Sequence, residues 1–248
     1  RGVGLSLFSY KTGVWPISLE IAGARMSLNQ DGSVQLQVGA TEIGQGADTV
    51  FTQMAAETLH MDPEQIHIVS FQDTDVTPFD TGAYASRQSF VTGTAIKECA
   101  EQLYDKILAY AKTLLPEIDT RDLTLENGWI CAAGEPALAL EALAQECYYS
   151  LTNSSVITAE VSRQVKKNTI ATGCCFAEVE VDISLGKIKV LHIINVHDSG
   201  RLLNPQLAEM QVHGGMSMGM GYGLSEQMIL DKKTGRLLNG NLLDYKLM

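Results

Sequence analysis

The sequence predicts an α+β fold: two halves, each a β-hairpin followed by a polar loop and a helix, in mixed sheet with helices covering one side. Three observations carry this. Apolar and polar residues alternate, with the period of a half-buried strand, in paired segments joined by Gly-containing turns. Glycine-rich or polar loops follow both pairs, and apolar residues then return at helical spacing. The 248 residues are 45% hydrophobic and 19% charged, enough apolar material to bury a sizeable core.

Taken in order, residues 17–29 read as a strand in which Gly23 marks a bulge. Gln30-Asp31-Gly32 is a turn signal, and Val34, Leu36 and Val38, alternating with Gln35 and Gln37, bring the chain back as a hairpin. Gly39-Ala40-Thr41-Glu42-Ile43-Gly44-Gln45-Gly46 then hands over to a helix over 48–60, marked by Val50-Phe51, Met54-Ala55 and Leu59. A strand over 66–71 follows. Residues 72–88 are polar and turn-rich, ending in Gly82-Ala83-Tyr84-Ala85-Ser86-Arg87-Gln88 before a long amphipathic helix over 89–115 that Pro116 stops. Next come a short hairpin over Asn127-Gly128 and a helix over 138–149. The polar connection 151–167 is the candidate internal boundary.

The opening pattern then returns. Strands over 169–183 and 187–196 are turned by Leu185-Gly186, a loop carries His197-Asp198-Ser199-Gly200 and Asn204-Pro205, and a helix runs over 206–222. On this reading the two halves are 1–160 and 161–248. The last helix holds Gly214, Gly215, Gly219 and Gly221, each unfavourable by about 1 kcal/mol relative to alanine. Close packing against a strand would explain them, and so would a flat ligand.

Composition narrows the function classes. A formal charge of −11 speaks against sequence-independent nucleic-acid binding, and the one basic spot, Arg163 with Lys166-Lys167, reads as a solvated loop. No apolar run has the length that spans a bilayer, the N-terminus lacks signal-peptide order, and cytoplasm is the expected location. The five cysteines (Cys99, Cys131, Cys147, Cys174 and Cys175) form no Cys-x-x-Cys, and the vicinal pair Cys174-Cys175 in a strand-like run reads as buried small apolar residues ahead of a redox pair. The histidines show no paired helical spacing, so no protein-built metal site is expected. The opening Arg1-Gly2-Val3-Gly4, without Met, and the closing Tyr245-Lys246-Leu247-Met248 read as cut edges of a longer protein.

Two loops stand out chemically. The strand-to-helix junction at Gly44-Gln45-Gly46 combines free backbone N–H groups, a helix dipole and an amide that both donates and accepts, a combination suited to an anionic or polar ligand. It lacks the third glycine of a dinucleotide fingerprint and the Lys of a Walker loop, and a plain structural turn fits it equally. The 82–88 loop again offers small residues, Ser86, Arg87 and Gln88 at a helix start; it suits an anion, or else an N-capping serine beside a surface arginine.

In that order, Gly39-Ala40-Thr41-Glu42-Ile43-Gly44-Gln45-Gly46, Ala83-Tyr84-Ala85-Ser86-Arg87-Gln88, and Asn204-Pro205 with Gln211-Val212-His213-Gly214 resemble motifs of the molybdenum hydroxylases. The chain resembles the molybdenum-binding subunits of bacterial xanthine dehydrogenases, within the xanthine oxidase/aldehyde oxidase family, over nearly all its length. The resemblance implies that Gln45 hydrogen-bonds the pterin of a molybdenum–molybdopterin cofactor, in its cytosine dinucleotide form, with Gly44 and Gly46 shaping the loop. It implies that Ala85, Ser86, Arg87 and Gln88 hold the pterin and its phosphate through backbone and side chains, and that Gln211 contacts the pterin near the metal.

The family binds molybdenum through the pterin dithiolene and through no protein side chain. It oxidises purines, hypoxanthine or xanthine, with water as oxygen donor and a glutamate as general base. That glutamate is expected beyond Met248, so the piece in hand should carry no catalytic residue and should be inactive alone. Iron–sulfur (2Fe-2S) and FAD groups are implied on partner subunits, with NAD as final acceptor. An aldehyde-oxidising relative, or a non-catalytic cofactor-binding or assembly module, would share the same loops. Glu42 reads as a hydrogen-bond acceptor within the glycine loop, not as a replacement for the base.

Overall fold

The computed structural model describes residues 1–248. In chain order its elements are β1 (Gly2–Thr12), β2 (Ile21–Leu28), β3 (Val34–Val38), α1 (Ala47–Leu59), β4 (Ile66–Val69), α2 (Gln88–Leu114), β5 (Leu123–Glu126), β6 (Trp129–Ala132), β7 (Glu135–Ala139), α3 (Leu140–Tyr149), β8 (Thr158–Gln164), β9 (Thr169–Asp182), β10 (Lys187–Asp198) and α4 (Pro205–Leu224). They make an α+β fold with three sheets, ordered β1-β9-β10, β4-β3-β2-β8 and β5-β6-β7. The hairpin–loop–helix order appears twice, as β2-β3 with α1 and as β9-β10 with α4.

The chain separates into two compact units, one of Lys11–Thr169 and one of Arg1–Tyr10 with Ile170–Met248. The sequence reading placed one boundary between 160 and 161. Two strand pairings put the divisions elsewhere: β8 is hydrogen-bonded antiparallel to β2, and β1 joins the sheet of β9 and β10.

The Lys11–Thr169 unit holds the hydrophobic core. Alternation along β2 and β3 aims Ala22, Ala24, Met26, Leu28, Val34, Leu36 and Val38 at one face, all fully buried. Antiparallel pairing sets Met26 opposite both Leu36 and Ala159, so three strands present one apolar surface. α1 and α2 pack on this sheet through Phe51, Ala55 and Leu59 and through Val91, Ala95, Ile96, Leu103 and Ile107. The other face is polar: Arg25 donates two 3.0 Å bonds to Glu160 across the strands. Cys99 sits in the core, where burial pushes its thiol up to about 11. Like buried Cys131 and Cys147 it is a packing residue, whereas Cys174 and Cys175 on β9 are only half-buried.

Three sequence expectations change. The polar connection at 151–167 contains β8, whose buried Ala159 and Val161 alternate with exposed residues. Arg163 lies on this strand and pairs with Glu98 at 3.1 Å; it is not part of a solvated loop. Gly23 is no bulge, because its register with Ser162 is regular. Its lack of a side chain admits a neighbouring segment: a Cβ there would stand 2.7 Å from Pro78 Cβ, and its N–H donates to Phe79 O at 2.8 Å. That segment, 78–80, continues the sheet beyond β3 by an isolated bridge between Ala22 and Asp80, and so delivers Asp80 to the start of β2.

The other unit has the β1-β9-β10 sheet, the long β9–β10 hairpin and α4. Pro205 opens α4 and the Asn204 side chain caps it by accepting from Leu207 N at 3.1 Å.

A Cβ on Gly39 would overlap the Pro78 carbonyl oxygen and stand 2.9 Å from the Asp80 amide, both backbone atoms. Gly39→Ala in the full-length protein should therefore lose about 1–3 kcal/mol of stability, read as a lower melting temperature. Gly4→Ala, with nothing within 4 Å of the new methyl group, should leave it unchanged.

Candidate functional site

The glycine loop is organised by Glu42. Gly46 is the N-cap of α1 with φ 86°, and no N-cap side chain satisfies the helix's first N–H groups. Glu42 does so instead: one carboxylate oxygen accepts from Gly44 N (2.6 Å) and Gly46 N (3.1 Å), the other from Asp48 N (3.0 Å). The expected hydrogen-bond acceptor role of Glu42 is therefore observed. The expected free N–H groups are not, because the anion at this helix end is the chain's own. Partial burial pushes the Glu42 carboxyl up, but the bonds from Asp48, Gly46, Gly44 and Ala47 outweigh it and hold the group below the ordinary glutamate value.

With its backbone fixed, the loop presents Gln45. Its amide nitrogen donates to Thr41 O (3.0 Å) and to Gln88 Oε1 (2.6 Å), and its oxygen accepts from Ile43 N (2.7 Å). Gln88, 9% exposed at the first position of α2, donates to the same Thr41 O at 3.0 Å. The two loops singled out in the sequence thus meet through an amide pair. After these bonds one Gln88 N–H and one lone pair on each of the two amide oxygens remain for a ligand. Beside them Gly44 has φ 100° and open space within 4 Å of the position a Cβ would take.

The second loop is held from beneath. Ala85 and Ser86 are consecutive non-glycine residues with left-handed φ of 50° and 53°. Ala85 O accepts from Gly13 N at 2.8 Å, and Ser86 is exposed. The Arg87 side chain is fully buried, so the alternative of an N-capping serine beside a surface arginine does not hold. Neither does Arg87 face outward toward a ligand: its Nε donates to Glu20, Nη1 to Asp80 and Gly82 O, and Nη2 to Ile21 O. Sequence reading missed Glu20, a lone carboxylate entering an apolar strand, and gave Asp80 no role.

Gln211 lies in the second turn of α4, exposed, in the unit of Arg1–Tyr10 with Ile170–Met248. Its neighbours Gly214, Gly215 and Gly219 have nothing within 4 Å of the position that an added methyl group would take, and only Gly221 is closely packed, against Glu226. A neighbouring strand therefore does not account for the first three.

The donor set is amides, one hydroxyl and backbone groups. No group of three or more His, Cys, Asp or Glu side chains is arranged to hold a metal ion. Such a surface suits a polar organic cofactor that brings its own metal, and the unpaired Gln88 N–H with the open backbone at Gly44 fits one. The class defined is a cofactor-binding module.

The chain belongs to the molybdopterin cofactor-binding domain family, whose model matches residues 1–248. It is 50% identical over 250 residues to the putative xanthine dehydrogenase molybdenum-binding subunit XdhA of Escherichia coli K12, covering 100% of this chain and 33% of that protein. It is 31% identical to the probable hypoxanthine oxidase XdhD of the same organism, over 98% of this chain and 25% of that one. Among solved structures, quinoline 2-oxidoreductase from Pseudomonas putida 86 matches with a TM-score of 0.85 at 25% identity, over 100% of this chain and 33% of its own. Reconstituted CO dehydrogenase from Oligotropha carboxidovorans matches with a TM-score of 0.84 at 25% identity, over 100% and 32%. The chain thus spans between a quarter and a third of the length of these relatives. No helix is long and apolar enough to cross a membrane.

Because Glu42 is held below its ordinary value of 4.5, its contribution to stability is complete above that pH and is lost as pH falls through the folded value. Glu42→Gln should cost about 1 kcal/mol at neutral pH, the usual worth of an N-cap. In thermal melts of the full-length protein the gap from wild type should shrink steadily below pH 4.5. A gap that does not change with pH would show that the charge is not what caps α1.

Proposed function

We propose that the chain is the molybdopterin-binding part of a xanthine dehydrogenase-like molybdenum hydroxylase that oxidises purines such as hypoxanthine and xanthine with water as oxygen donor. The observation that carries this reading is the amide pair Gln45–Gln88, built from two of the three sequence motifs and left with one N–H donor and an acceptor lone pair on each oxygen. The 50% identity over the whole chain to a protein named as a xanthine dehydrogenase subunit supports the purine assignment over aldehydes.

The residues then divide the work. Gln45 and Gln88 orient the pterin by their remaining amide valences. Gly44 and Gly46 let it approach the backbone, and Ala85 and Ser86 offer backbone groups and a hydroxyl to its phosphate end. Gln211, on the glycine-rich α4, is assigned by the resemblance to the pterin near its metal. When bound, the cofactor supplies the molybdenum centre at which water-derived oxygen enters the substrate and two electrons leave it. Neutral donors suit this task, since they fix orientation without adding charge beside a redox centre. The reading includes the cytosine dinucleotide form of the cofactor, iron–sulfur and FAD-binding partner subunits, NAD as final acceptor, and a cytoplasmic location.

In the full-length protein, Gln45→Ala and Gln211→Ala should each lower molybdenum and pterin content by roughly tenfold, on the scale of lost orienting contacts, while shifting the melting temperature little. Wild-type metal content in both variants would count against the assignment. A dye-reduction panel of purines against aldehydes tests the substrate: turnover of aldehydes alone would replace the purine reading with the aldehyde-oxidising one.

A further inference from the structure

We propose that Arg87, Glu20 and Asp80 are positioning residues, a buried clamp that sets the backbone of Ala85 and Ser86, and that Arg87 does not itself bind a phosphate; this rests on the cofactor reading above. The first ground is valence. Nε lies 2.5 Å from Glu20 Oε2, Nη1 2.6 Å from Asp80 Oδ1 and 3.0 Å from Gly82 O, and Nη2 2.7 Å from Ile21 O. Four of the five guanidinium N–H groups are engaged, so no two-pronged grip on an anion remains. The side chains of Arg87, Glu20 and Asp80 are 0%, 1% and 0% exposed.

The second ground is charge. Two carboxylates face one guanidinium, so the cluster is formally negative and offers a phosphate no net attraction. Every carboxylate oxygen is itself hydrogen-bonded: besides their bonds from Arg87, Glu20 Oε1 accepts from Val14 N (2.6 Å), Asp80 Oδ1 from Gly82 N (2.8 Å), and Asp80 Oδ2 from Thr92 Oγ1 (3.0 Å).

The third ground is topology. The guanidinium holds Asp80 and Gly82 at one end of the loop, while Arg87 itself forms the other end at the start of α2. Between them sit Ala85 and Ser86 in left-handed backbone that non-glycine residues hold only when their surroundings over-determine it. The clamp, with the Gly13 N–H bond to Ala85 O, supplies that determination. Remove it, and the loop relaxes to ordinary backbone, turning the groups that would meet the cofactor.

The test uses the full-length cofactor-loaded protein with Glu20→Gln, Asp80→Asn and Arg87→Lys, and Leu125→Ala as a core variant of β5 outside the clamp. Melting temperature, molybdenum and pterin content and the visible circular dichroism of the cofactor are measured. The clamp predicts that all three clamp variants lose cofactor by about tenfold or more and alter its dichroism, while Leu125→Ala retains it at a comparable melting temperature. Full cofactor in Glu20→Gln and Asp80→Asn, with loss in Arg87→Lys alone, overturns the proposal in favour of direct phosphate contact.

Thr92→Val, which removes one hydrogen bond to Asp80 from an uncharged donor, covers failure of the charge variants to accumulate. Cofactor loss at near-wild-type melting temperature supports the clamp, and full content counts against it. Wild-type protein that carries no pterin would overturn the cofactor reading separately. The clamp would then be read by limited proteolysis: faster cleavage within 81–86 in Thr92→Val than in Leu125→Ala supports it, and equal cleavage refutes it.

Discussion

The buried contact between Arg87, Glu20 and Asp80 is the constraint on which the candidate site depends. Its bonds join the entry to β2, 67 residues upstream of Arg87, with the turn at 80–82 and the residue just before α2. Burying ions is unfavourable unless every valence finds a partner, and a buried pair stabilises less than its short distances imply. What such a cluster does well is exclude alternatives. A chain that folds with one of these three segments out of place leaves a charge unpaired in the interior. The same cluster therefore fixes where α2 begins and which backbone the loop before it adopts.

A second internal anion does similar work on the glycine loop. Glu42 satisfies the N–H groups at the start of α1 and thereby fixes Gly44 and Gly46 in their left-handed conformations. The charged side chains Glu42 and Arg87 act as supports in the two loops, and the groups beside them are neutral: the buried Gln88 paired with Gln45, the exposed Ser86 hydroxyl and bare backbone. This separation has a physical reason. An amide can donate and accept at once, so it orients a polar ring from its edge without the desolvation penalty of an ion. A charged side chain in the same place would titrate and would perturb the potential of any redox group beside it.

Local signals were legible in the sequence wherever the deciding interaction was itself local. Asn127-Gly128 marks a hairpin because both residues take positive φ, 48° and 80°, as a tight turn demands. The β2–β3 and β9–β10 hairpins, the glycine loop and the long α2 were readable for the same reason. β8 was not: its two buried residues, Ala159 and Val161, are interleaved with Thr158, Glu160 and Ser162, and its partner β2 lies far away in the chain, as the 135-residue separation of Arg25 and Glu160 shows. The burial of Arg87 was hidden likewise, since Glu20 stands 67 residues upstream. The resemblance points to the 85–88 loop, but no local signal there distinguishes an arginine that faces solvent from one buried on carboxylates.

Gly23 and the glycines of α4 show how one residue type answers opposite demands. At Gly23 the missing side chain is filled by protein, for Pro78 and Phe79 press against it and carry Asp80 into the clamp. At Gly214, Gly215 and Gly219 nothing in the chain fills the space, although each glycine weakens the helix by about 1 kcal/mol relative to alanine. Bare backbone is thus left uncovered at three positions on one helix. Gln211 sits one turn before this stretch, and a flat heterocycle lying along the helix would use both features at once: the amide at its edge and the uncovered backbone against its face.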